Sequence, residues 1–166
     1  MNSLQIVHAT SPQHINHTEA LLREYILWTR TLHPLDDIPA YEDIDEELGQ
    51  LPGIYAPPHG RLLLALADNE PAGCVCLKPV DETICELKRM YVKPSHRGQG
   101  IGLKLVEAFV QHARKIGYTK IILDTFHTMT TAHAIYKRIG FRVIETPADA
   151  PEFVQKYAIF MEMVLD

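Results

Sequence analysis

The chain has 166 residues, of which 46% are apolar and 22% charged, and a formal net charge of −5. A chain of this length favours one domain, which buries roughly 70% of its unfolded surface and needs no disulfide or metal to fold. The acidic balance argues against a nucleic-acid partner, and no apolar run approaches the ~20 residues that span a bilayer, so no membrane partner is expected.

Met1-Asn2-Ser3-Leu4-Gln5 lacks the basic and apolar stretches of a signal peptide, so the protein reads as cytoplasmic. Leu4 to His8 alternates as a first strand. Thr10-Ser11-Pro12 supplies a capping residue and a proline for the first turn of a helix. That helix runs to about Leu32, with Ile15, Leu21, Leu22, Tyr25, Ile26 and Trp28 as its apolar stripe, and His33-Pro34 ends it. His14 and His17 could share one of its faces, but with no further ligand in register a metal site is not expected.

Residues 40–51 read as a short helix with an acidic face, and 51–60 as a loop punctuated by Pro and Gly. Arg61 to Ala67, Ala72 to Val80 and Thr83 to Val92 form three meandering strands joined by polar turns. Cys74 and Cys76 sit two apart in one strand, hence on one face. With Cys85 they read as reduced, buried thiols and not as metal ligands.

Arg97-Gly98-Gln99-Gly100-Ile101-Gly102 follows the third of these strands and opens a helix that ends at Ile116 and Gly117. Ile101, Leu105, Ala108, Phe109, His112 and Ile116 form the apolar stripe of that helix. Lys120 to Thr125 is a strand, Thr130 to Ile139 a helix stopped by Gly140, and Phe141 to Glu145 a strand. Residues 147–151 read as a loop before a last strand from Tyr157 to Leu165. The order predicts an α/β (α+β) fold in one domain over residues 1–166, with a mixed central sheet of about seven strands and helices on both faces. Regular βαβ alternation, the mark of a Rossmann fold, is missing.

Glycines between a strand and a helix leave backbone N–H groups free beside the positive end of the helix dipole, which suits a phosphate. The Gly98-x-Gly100-x-Gly102 spacing meets the dinucleotide fingerprint only in part, and no Gly-Lys-Ser/Thr makes it a P-loop. A plain tight turn is the competing reading.

The segment Glu86 to Gly102 resembles the acetyl-CoA signature of the GNAT N-acetyltransferase family, Arg/Gln-x-x-Gly-x-Gly/Ala, through Arg97, Gly100 and Gly102. Ala132 to Phe141 resembles the family's Ala-x-x-x-Tyr-x-x-x-Gly-Phe segment. The resemblance implies acetyl-CoA as co-substrate, with no metal, and an acetyl group passed directly to a primary amine of a small molecule or peptide. It implies coenzyme contacts from Met90, Tyr91, Val92, Arg97, Gly98, Gln99, Gly100, Ile101, Gly102, Leu103, Lys104, Met129 and Tyr136. The N–H groups from Gln99 to Lys104 would hold the pyrophosphate, and the Met90 and Val92 backbone would pair with the pantetheine arm. Tyr136 would protonate the leaving thiolate, with an aromatic packed between helix and sheet as the competing reading. Glu86 matches a position where relatives carry a base acting through water, against a solvated strand-end charge; His127 and His33 are further candidates. Met129 stands where the common family form has Asn. A homodimer is implied by family habit alone. The acids Asp36, Asp37, Glu42, Asp43, Asp45, Glu46 and Glu47 would attract a cationic amine if they lined an entrance; a solvated acidic helix face is the other reading. A non-catalytic acyl-CoA-binding or sensor module is the alternative function.

Overall fold

A computed structural model describes residues 3–32 and 44–166. The elements, in chain order, are β1 (Leu4–His8), α1 (Pro12–Arg30), α2 (Ile44–Gly49), β2 (Arg61–Ala67), β3 (Glu70–Pro79) and β4 (Ile84–Val92). They continue with α3 (Ile101–Ile116), β5 (Lys120–Phe126), α4 (Thr130–Ile139), β6 (Arg142–Ile144), α5 (Glu152–Tyr157) and β7 (Ala158–Val164). Single 3-10 turns at Gly53–Tyr55 and Pro94–His96 lead into β2 and α3.

The seven strands form one sheet in the order β1-β2-β3-β4-β5-β7-β6. Every neighbouring pair is antiparallel except β4 and β5. The five consecutive residues Leu62–Leu66 are all buried because β2 is covered on both faces, which is why its sequence is apolar without alternation. Leu63, Ala65, Val75 and Leu77 point to a core shared with Leu105, Phe109 and Tyr136 from α3 and α4. Leu62, Leu64, Cys74, Cys76 and Tyr91 point to a second core with Leu21, Leu22 and Ile26 of α1. Cys74, Cys76 and Cys85 are free and buried, and burial pushes the Cys76 and Cys85 thiols up to about 12. Among the described residues no helix is long and apolar enough to cross a membrane, and no group of His, Cys, Asp or Glu could hold a metal ion.

Ser11 caps α1 as its position suggests: its Oγ accepts from the His14 N–H at 3.1 Å, with Pro12 in the first turn. Two readings need correction. The stretch before the last strand is a helix, α5, over Glu152–Tyr157, and it separates β6 from β7. Six residues are too few to show a 3.6-residue period. The predicted helix over residues 40–51 is helical at Ile44–Gly49, and residues 40–43 lie outside the described residues, as do His33, Asp36, Asp37 and Glu42.

Two irregularities shape the centre of the sheet. Cys74 pairs with Tyr91 but Cys76 with Lys88, so β4 carries one extra residue, and Arg89 takes a left-handed φ of +57° to hold the bulge. The β4–β5 ladder runs only from Ile84–Lys120 to Glu86–Ile122, and beyond that rung the two parallel strands part.

Candidate active site

The gap between β4 and β5 opens into a cavity of about 610 Å³. One wall is the strand edge Met90–Val92. A second is the turn and first residues of α3, including Arg97, Gly98, Gly100, Ile101, Gly102 and Leu103. The third comes from Met129 and one side of α4, with Ala132, Ile135 and Arg138, and Trp28 of α1 closes the rim. Met129 and the segment from Ala132 are marked by the family resemblance, whereas Trp28 has no motif to announce it. Trp28 reads as part of an apolar helix stripe, and only the fold turns it to the rim.

Gly98 and Gly100 both have φ of +79°, and a Cβ added to either would meet nothing within 4 Å. Neighbouring atoms therefore do not dictate glycine there; backbone conformation does, and the turn stays open to a ligand. Gly100 is the N-cap of α3, without a side-chain cap. The Lys104 N–H already donates to the Gly100 carbonyl at 3.1 Å, so the free donors at this helix start end at Leu103. The Lys104 ammonium pairs with Glu107 at 3.3 Å on the exposed side. Gly102 has another role: a Cβ there would come within 3.0 Å of Ile135 Cδ1, so glycine lets α4 approach α3.

Arg97 is fixed from three sides. Its Nε donates to the Val92 carbonyl at 2.9 Å, and its guanidinium lies 4.8 Å from the Trp28 ring centroid and 5.7 Å from that of Tyr91. The Val92 carbonyl therefore already accepts one bond. Met129 receives a hydrogen bond from Thr125 Oγ1 at its sulfur, 3.8 Å away.

Tyr136 lies next to the cavity-lining Ile135 on α4, packed against Phe141 with ring centroids 5.6 Å apart. Its side chain is 4% exposed, and its hydroxyl has no hydrogen-bond partner among the described residues. Burial and, to a smaller degree, the charge of Asp124 push its pKa well above that of an ordinary phenol. Glu86 sits on the last β4–β5 rung, on the other face of the sheet from Leu87. Burial raises its pKa, and Asp124 adds to that while Lys88 opposes it. Of the acids of α2, Asp45 pairs with Arg23 at 2.9 Å and Glu47 with Arg89 at 3.0 Å, so these two are engaged within the protein.

A sequence profile described as the acetyltransferase (GNAT) family matches residues 19–141 of the chain. The chain belongs to the GNAT acetyltransferase family. An uncharacterized N-acetyltransferase of Schizosaccharomyces pombe is 35% identical over 136 residues, covering 81% of this chain and 80% of its own. A Klebsiella pneumoniae structure assigned to the acyl-CoA N-acyltransferases aligns over 100% of this chain and 99% of that one, with a TM-score of 0.73 and 26% identity. The PaiA N-acetyltransferase of Thermoplasma acidophilum, solved with coenzyme A, shares the fold at a TM-score of 0.75 and 21% identity, over 98% and 99% of the two chains. This GNAT protein is an acetyl-CoA-dependent N-acetyltransferase, and its co-substrate is acetyl-CoA.

Proposed function

We propose that this GNAT enzyme transfers acetyl directly from acetyl-CoA to a primary amine of a small molecule or peptide, with Tyr136 as the acid. The observation that carries the reading is the parting of β4 and β5 beside the glycine turn. It leaves a free strand edge and a helix start around one cavity, with the buried Tyr136 next in sequence to the lining residue Ile135.

The residues suit acetyl-CoA. The helix start offers N–H groups through Leu103 and a partial positive charge, and Arg97 and Arg138 add full charges at the cavity wall. The Met90–Val92 edge offers backbone groups to an extended amide chain, with the Val92 carbonyl already partly taken by Arg97. Met129 presents an apolar side chain to the cavity. When bound, acetyl-CoA supplies an activated thioester. Tyr136 supplies the proton that the departing sulfur requires, and Glu86 is a carboxylate on the α1 face of the sheet at the last β4–β5 rung. A homodimer and a cytoplasmic setting belong to the same reading.

The test is incubation of the protein with acetyl-CoA and a panel of polyamines, aminoglycosides, amino acids and peptide N-termini, following free thiol. Thiol release with at least one amine is expected. Tight coenzyme binding with no release across the panel would leave a sensor and remove this reading.

Gly100→Ala probes the turn separately. An L-residue in the left-handed region costs about 1–2 kcal/mol, so the turn relaxes and scatters its N–H groups. Coenzyme A affinity is expected to fall about tenfold, since about 1.4 kcal/mol is a factor of ten. Trp28, the sole tryptophan and a cavity-rim residue, gives a fluorescence readout. Unchanged affinity would separate the turn from coenzyme binding.

A further inference from the structure

Acetyl transfer to an ammonium requires a group that removes its proton. Strand register locates the carboxylates that can reach it. Lys88 pairs with Cys76, Glu86 with Lys78, and Glu86 with Ile122. Cys76 faces the α1 side of the sheet. Side chains alternate along a strand, so Glu86, Lys88, Ile122 and Asp124 share that side. Glu86 stands on the last rung of the ladder, whereas Asp124 stands two residues further on, where the strands have parted.

Tyr136 supplies the second observation. Its ring is buried and its hydroxyl has no partner, yet that oxygen is not sealed: among the described residues the sealed, unsatisfied side-chain atoms are on Glu47 and Arg89. Tyr136 follows the cavity-lining Ile135 on α4, and the charge that acts on its hydroxyl is that of Asp124.

Resting on the acetyl-transfer reading above, we propose that Asp124 is the base of this enzyme, receiving the acceptor's ammonium group in a seat completed by Glu86. The charges of Lys88 and Arg89 on β4 act on Asp124, and the charge of Asp124 acts on Glu86 and on Tyr136 of α4. Asp124 is exposed by surface area, yet enough protein surrounds its carboxyl to remove part of its hydration. Burial raises its pKa, against the opposing charges of Lys88 and Arg89, which makes it a better proton acceptor near neutrality. Asp124 stands where the strands have parted and Glu86 on the last rung, so Asp124 takes the proton and Glu86 holds the cation.

The protons balance. Asp124 takes one from the ammonium and passes it to solvent. The freed nitrogen lone pair forms the C–N bond as the C–S bond breaks. Tyr136 gives its proton to sulfur, and the second proton shed by nitrogen restores the phenol.

Asp124→Asn and Glu86→Gln are compared in the full-length protein, with spermidine as probe amine, across mildly acidic to alkaline pH. Asp124→Asn is expected to lower kcat/KM about 10²-fold and to lose the acidic limb of its pH profile, with coenzyme A affinity kept. Glu86→Gln is expected to keep that limb and raise the amine KM. An intact limb in Asp124→Asn, or its loss in Glu86→Gln alone, overturns the assignment. NMR of isotope-labelled aspartate carboxyls in the coenzyme A complex needs no turnover: spermidine is expected to shift the Asp124 resonance, and no shift overturns the seat. Thiol release without that shift removes the Asp124 assignment alone; the shift without thiol release from any amine removes the acetyl-transfer reading alone.

Discussion

Replacing Tyr136 by phenylalanine is expected to lower kcat by two to three orders of magnitude while leaving coenzyme A affinity within about twofold. The expectation follows from what the hydroxyl does not do. It bonds to no described residue, so its removal breaks no structural contact, and the ring still fills its place against Phe141. The change therefore isolates chemistry from packing. Burial and Asp124 hold the phenol's pKa high, which keeps it protonated at every working pH. A proton held that firmly would be a poor gift to a thiolate in water. In the gap, however, the same shortage of solvent makes the thiolate a stronger base, and the two pKa values rise together. Rapid-quench kinetics and coenzyme titration on the two proteins check this. Equal kcat in the variant would remove Tyr136 as the acid and leave it as a core aromatic.

The parts of this site that could be read from the chain are those set by local chemistry. A glycine must occupy a left-handed position, so Gly98 and Gly100 show themselves. Ser11 and Pro12 mark a helix start, and β2 shows its two-sided burial in an unbroken apolar run. The missing parts are set by register and by distant packing. Asp124 looks like any polar residue at a strand end. Its meaning depends on a ladder that stops two residues earlier and on a tyrosine twelve residues away, brought back by α4. Arg89 is harder still. Arginine has no preference for positive φ, and nothing local hints that β4 bulges there. The contacts that hold it lie on α2 and the turn before β2, more than thirty residues upstream.

Those contacts make Arg89 the most exacting test of how the fold supports the site. Its guanidinium lies 3.0 Å from Glu47 Oε2, and both side chains are largely buried, at 14% and 19% exposure. The Tyr55 hydroxyl donates to Glu47 Oε1 at 3.0 Å. Arg89 Nε and Glu47 Oε2 have no aligned hydrogen bond, so the pair is held by charge more than by geometry. Burial works against the guanidinium's charge, but Tyr55 and Glu47 offset it and keep the proton more firmly bound than usual. Arg89→Ala strands a buried carboxylate and keeps a side chain in the left-handed region. A loss of about 3 kcal/mol is expected, the lower end of the range for breaking a buried pair because solvent still reaches its rim. For a chain this long that is roughly 6–12 °C in Tm. Arg89→Gly breaks the same pair but removes the conformational cost, so it should be the more stable of the two by about 1 kcal/mol. The double change Arg89→Met with Glu47→Leu removes both charges and should recover most of the loss. Denaturant titrations of the four proteins give the ordering. If Arg89→Gly is no more stable than Arg89→Ala, the left-handed bulge costs nothing. If the double variant is no more stable than Arg89→Ala, the stranded carboxylate is not the source of the loss.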